Sequence, residues 1–159
     1  MVRTVGEDAP EQRVIDDIAK YGWHCVNIQA EGDEGPFSFT VSLFQSYGHP
    51  EFIIFGLRSE TAHQLLNIAV EAIQAGRPID LSGPTDDLLE GYPCCFVEVP
   101  VSEYHEHLGF ARWYYQGNGF PAYQIVFPSR DGHFPWHPDA TESFRSFQPV
   151  LGIPAGCIG

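Results

Sequence analysis

Two apolar periods alternate along the chain, and the points where one gives way to the other predict its elements. From residue 37 to 43, Phe37, Phe39, Val41 and Leu43 alternate with Ser38, Thr40 and Ser42, the period-two pattern of a strand with two unlike faces. From Phe52 to Leu57 no polar side chain interrupts the run, which predicts a strand covered on both faces. Only the short loop "QSYGHP" lies between them. They are expected to pair antiparallel, because a parallel partner needs a crossover of roughly a dozen residues or more.

The remaining pattern extends this core. Glu11 to Tyr21 has helical spacing, with Val14, Ile15, Ile18 and Ala19 on one stripe, Pro10 in the first turn and Gly22 at the C-terminal cap. "WHCVNIQA", residues 23 to 30, is expected to be a strand ending at the turn "EGDEGP". Ser59 suits an N-cap for the clearest helix, Glu60 to Ala75, where Ala62, Leu65, Leu66, Ala69, Ala72 and Ile73 share a face and Gly76 follows. Residues 76 to 91 are rich in Gly, Pro and Asp and predict an exposed loop. "CCFVEVP" from Cys94 to Pro100 predicts a strand. Ser102 caps a helix from Glu103 to Tyr115, which Gly109 weakens and splits. "PAYQIVFP" at 121 to 128 is the last expected strand, and "SRDGHFPWHPD" carries too many turn residues for regular structure.

This order predicts an α+β fold: a mainly antiparallel sheet of about five strands with two or three packed helices, a small split barrel being the closest competitor. No repeat or linker divides residues 1 to 159, so a single domain is expected, with the first ~9 and last ~8 residues least tied down.

Composition narrows the function. With 43% hydrophobic and 14% aromatic residues, the chain has material for a real core. No apolar run approaches the roughly 20 residues that span a bilayer, and "MVRTVGEDAPEQRV" contains no hydrophobic signal segment. A cytoplasmic setting is expected. Twenty-one acidic against 8 basic residues give a formal charge of -13, which repels nucleic-acid phosphates and anionic membranes and favours a basic protein partner. Cys25, Cys94, Cys95 and Cys157 show no metal-ligand spacing, and buried reduced thiols are expected.

The set "YGWHCVNI", "GPFSFTVSL", "GHPEFIIFGL", "LLN" and "YQIVFPSRDGHFPW", in this order, closely resembles the bacterial domain-of-unknown-function family 4262, over about residues 13 to 151. The resemblance implies no activity, cofactor or catalytic residue. Ser42 and Ser129 stand where it leads one to expect a glycine and an aspartate.

Candidate chemistry is sparse. His49 and Glu51 lie two apart, so in an extended segment their side chains share a face and the carboxylate orients the imidazole as a general base. Against that stands a plain turn stiffened by Pro50. The hydroxyls Ser38, Thr40 and Ser42 face solvent or line a ligand pocket if their strand is covered on one face only. A flavin phosphate or ribose is one ligand for such a row. Metal ligands would have to come from His105, His107, His133, His137 and Asp139, whose spacing on helices or loops does not favour one ion. No metal and no cofactor are expected. There is no GxSxG elbow, and "GNG" at 117 to 119 is not a nucleotide cradle. Trp113, Tyr114 and Tyr115 beside a Gly-rich turn resemble an anchor patch for a protein partner, although large aromatics are usually core. Two readings follow. The favoured one is an acidic binding module, of immunity or accessory type, for a basic partner. The other is a small pocket enzyme or ligand-binding domain built on the hydroxyl row with His49 and Glu51.

Overall fold

In a computed structural model, residues 1–154 are described. A five-stranded sheet separates two helical layers. In chain order the elements are α1 (Ala9–Tyr21), β1 (His24–Ile28), β2 (Phe37–Val41), α2 (Leu43–Tyr47), β3 (Glu51–Phe55), α3 (Ser59–Gln74), β4 (Cys95–Glu98), a 3-10 turn (Val101–Glu103), α4 (Tyr104–His107), α5 (Gly109–Tyr115), β5 (Ala122–Val126) and α6 (Glu142–Phe147). The sheet order is β1-β2-β3-β5-β4. Every pair is antiparallel except β3 with β5, so the sheet is mixed, and it does not close into a barrel.

The all-apolar run becomes the central strand for the reason its pattern gives. Ile53 and Phe55 pack on one face with Val14 of α1, Tyr104 of α4, Leu108 between the two helices and Ala111 of α5. Phe52 and Ile54 pack on the other with Leu65, Leu66, Ala69 and Val70 of α3. Gly22 adopts φ 89° and caps α1 by donating its N–H to the Ile18 carbonyl. The helix expected from Glu103 to Tyr115 does split into α4 and α5, but the break falls at Leu108, at φ -122° and ψ 42°, and Gly109 is the first residue of α5.

Local detail departs from the sequence pattern at several points, including Ser59 and Ser102, neither of which caps a helix through its side chain. Leu43 to Tyr47 is helical, not the end of a strand followed by a loop. A helix also forms at Glu142–Phe147, where Thr141 accepts the Phe144 N–H. Finally, Cys95 is disulfide-bonded, so the reduced thiol expected there is not found, whereas Cys25 and Cys94 are free. The expectation for Cys157 lies outside the described residues, as does most of that for the C-terminal end.

Two buried glutamines fasten the irregular C-terminal stretch. Gln148 accepts the Phe127 N–H at 3.0 Å and donates to the Phe127 carbonyl at 2.9 Å. Gln124 of β5 donates to the Pro149 carbonyl at 2.6 Å and accepts the Leu151 N–H at 2.8 Å. Each amide thus imitates one rung of a β-ladder. In the same stretch, Phe134 and Trp136 stack on each other at 4.9 Å.

Candidate functional site

Glu51 opens β3, and its side chain is completely buried. Four donors converge on the carboxylate. The Thr40 hydroxyl donates to Oε1 at 2.7 Å and the Leu43 N–H at 3.1 Å; the Phe44 N–H donates to Oε2 at 3.0 Å, as does the Tyr115 hydroxyl. The two backbone donors begin α2, where a helix has no internal acceptor for them. Ser42 cannot serve, because it sits at φ 87° and makes no side-chain cap bond. Thr40 Oγ1 also accepts the Phe52 N–H at 2.9 Å, just past Phe39 and Ile53, where the β2–β3 pairing ends. Burial pushes the Glu51 carboxyl up to about 7, outweighing the four donors that favour its charged form. Burial and the neighbouring Glu51 charge likewise raise the Tyr115 phenol.

The structure does not join His49 to Glu51. The imidazole Nδ1 lies 2.8 Å from the Pro50 carbonyl, and its ring rests 5.2 Å from that of Phe52. Burial lowers its pKa, opposed by the Pro50 bond.

Nor does the hydroxyl row face solvent. Ser38, Thr40 and Ser42 are all buried. Ser38 pairs with Ile54, whose face α3 covers, and its hydroxyl donates to Asn27 Oδ1 at 2.7 Å. Ser42 Oγ lies 3.0 Å from Ser46 Oγ and 3.2 Å from the Tyr114 hydroxyl. The row is polar because each member has an internal partner, and neither it nor the His49–Glu51 loop lines the best-formed clefts.

Of the three anchor aromatics, Tyr114 is buried, and Tyr115 is half-buried against Glu51 and Phe120. Trp113 is half-buried, with the Arg3 guanidinium 5.3 Å over its ring. Among the metal candidates, His133, His137 and Asp139 do meet. Their imidazoles are stacked, however, at 4.3 Å and 17°, and His137 Nδ1 already accepts the Asp139 N–H at 3.0 Å. Imidazole lone pairs lie in the ring plane, so near-parallel stacked rings do not aim both at one ion without turning. His107 is elsewhere, buried against Phe37 and Phe55.

A cleft of about 600 Å³ opens between α1 and α3 where β1 begins. Asp17 and Tyr21 come from α1; Trp23, His24 and Cys25 from the chain entering β1; Glu60, His63, Gln64 and Asn67 from α3. His24 Nδ1 lies 2.7 Å from Asp17 Oδ2. Trp23 meets His63 edge-on at 5.8 Å. Tyr21 is exposed and already carries the Lys20 ammonium 5.1 Å over its ring. Cation recognition by acids and aromatic faces is what such a lining can do.

None of these cleft residues was singled out from the sequence. A signal existed: Glu60, His63, Gln64 and Asn67 follow i, i+3, i+4, i+7, and Asp17 and Tyr21 are four apart, so each helix offers one coherent polar face. Such faces are ordinarily solvated, and only the tertiary approach of α1 to α3 distinguishes these two.

The protein-family model described as Domain of unknown function (DUF4262) matches residues 17–141, which includes every residue lining this cleft. No curated protein and no solved structure matches the chain.

Proposed function

The chain belongs to the DUF4262 family, and we propose that it is a binding module, of immunity or accessory type, whose cleft between α1 and α3 engages a basic segment of a protein partner. The observation that carries this reading is the cleft itself, where Asp17 and Glu60 stand beside the rings of Tyr21 and Trp23 on a chain of net charge -13. The carboxylates attract an arginine or lysine head group, and the rings accept its face and its apolar stem. The surrounding negative field speeds encounter with a basic partner and is weakened by salt. Among the described residues, no helix is long and apolar enough to cross a membrane. A cytoplasmic setting belongs to this reading.

The enzymatic alternative draws on one observation, a carboxyl pushed up to about 7 next to the Tyr115 hydroxyl. It is the weaker reading because Glu51 is fully enclosed and its four donors are all needed by α2, β2 and α5.

The test is an NMR titration of labelled protein with an arginine-rich peptide at low salt. Shifts should concentrate at residues 17–25 and 60–67. Glu60→Gln and Tyr21→Ala, both at exposed positions, should each weaken binding ~2–5-fold and together about tenfold. Absence of binding at millimolar peptide, or shifts confined to the acidic loop at 80–90, would refute the reading.

A further inference from the structure

β1 is an outer strand whose free side is unguarded. All five of its residues pair with β2 on one side. Beyond that pairing, no backbone N–H or C=O of residues 24–28 bonds to another group among the described residues. An antiparallel ladder uses the backbone groups of alternate residues, so the others point away from β2 with no partner among the described residues. Open edges in proteins are usually blunted by lysine, proline, a bulge or a covering segment. β1, with the sequence HCVNI, has neither lysine nor proline. At the opposite side of the sheet, the C-terminal stretch lies beside β4: a Cβ on Gly152 would come within 2.2 Å of the Glu98 carbonyl oxygen.

Between them, three cavities line every residue of β1. The cleft already described is floored by His24 and Cys25. A second, of about 410 Å³, takes in His24 through Asn27 together with α1 and Phe110. A third, of about 380 Å³, begins at Ile28 and shares Phe110 with the second. Acids flank both ends of the series, Asp17 and Glu60 at one and Glu11 and Glu106 at the other, with Arg13 as the one cationic side chain lining it.

We propose that the open edge of β1 accepts an extended, positively charged peptide as a sixth strand of the sheet. This deepens, and rests on, the binding reading above: it states the conformation in which the basic partner docks. Main-chain hydrogen bonds to β1 supply affinity that does not depend on the peptide's sequence, and the flanking clefts select alternate side chains. Five residues of strand span about 15 Å, enough for a peptide segment of similar length. Charge decides against a second copy of this chain as the occupant. Two-fold pairing of β1 with itself sets the Asp17 and Glu60 end of one molecule against the Glu11 and Glu106 end of the other, between chains of -13 each.

The experiment uses three capped ten-residue peptides in which arginine alternates with valine. One is unmodified, one is N-methylated at every arginine and one at every valine. N-methylation removes backbone donors while charge and side chains stay. We expect one methylated series to lose at least tenfold in affinity and the other to keep most of it, because only alternate amides face the sheet. Amide exchange at alternate residues of 24–28 should slow with the unmodified peptide. Equal affinity of all three peptides would overturn strand addition and leave the binding module standing. No binding of the unmodified peptide would overturn both. Sedimentation showing a dimer whose β1 amides are protected without peptide would assign the edge to a second copy and overturn the proposal.

Discussion

Replacing Glu51 with glutamine isolates the energetic role of the buried carboxyl. The side chain meets four donors, namely Thr40, Leu43, Phe44 and Tyr115. A glutamine amide offers one oxygen and turns an NH2 group toward the others. Two buried donors left facing it, at roughly 1–3 kcal/mol each, predict a loss of about 2–6 kcal/mol. The pH dependence is the sharper readout. Burial raises the native carboxyl from an ordinary value of 4.5 to about 7, so the folded chain holds this proton more tightly than the unfolded one does. Its contribution is therefore complete below about pH 4.5 and is lost as pH rises through about 7. At ~1.4 kcal/mol per pKa unit the loss amounts to roughly 3 kcal/mol. Urea unfolding of both proteins between pH 4.5 and 8 measures it, since glutamine does not titrate and the other carboxylates cancel. The advantage of wild type over Glu51→Gln should shrink by about 3 kcal/mol across that interval. Stability curves that run parallel would refute the argument and mean that the four donors hold Glu51 ionised throughout.

Two further substitutions test how the chain around this site is held. Ser42 is strained at φ 87° yet bonded to Ser46 and Tyr114, so Ser42→Gly exchanges relief of the backbone for lost hydrogen bonds, while Ser42→Ala loses the bonds and keeps the strain. Thermal unfolding should find the glycine variant more stable than the alanine variant by about 1 kcal/mol, and equal stability would show that the left-handed conformation costs nothing here. Gln148→Ala strips both backbone partners from Phe127, which should cost about 2–4 kcal/mol and speed hydrogen exchange of the Phe127 amide. A cost below ~0.5 kcal/mol would mean that water replaces the glutamine.

Periodicity made the frame legible because periodicity reports burial. Phe52 to Leu57 had no polar side chain, and its strand lies mid-sheet with apolar partners on both faces. The alternating run misled for the same reason: Ser38 and Thr40 read as a face open to solvent or a pocket, but Asn27 and Glu51 satisfy them inside the protein. A hydroxyl buried with a partner and one in water look alike in a sequence. The resemblance carried a clue of another kind. A glycine expected at Ser42 marks the left-handed turn into α2, and an aspartate expected at Ser129 marks an acceptor for the His133 N–H, which the serine hydroxyl takes at 3.2 Å. Both positions are explained by local backbone needs. The cleft was illegible because its two walls are the polar faces of helices some forty residues apart, α1 and α3.

The distribution of charge ties the cleft to the fold. Among the described residues, all three close pairs of opposite charge type involve histidine, at His24, His107 and His137; none joins arginine or lysine to a carboxylate. The arginines with assigned contacts turn to neutral groups instead: Arg3 to the Trp113 ring and carbonyl, Arg112 to Asn118, and Arg145 to the carbonyls of Pro135 and His137. The few cations thus fasten loops and termini, and the surface acids are not neutralised from within. Such a field costs the folded state some self-repulsion and serves no packing purpose. For the basic partner proposed above, the place where acids, aromatic rings and the outer edge of β1 meet is the groove along β1.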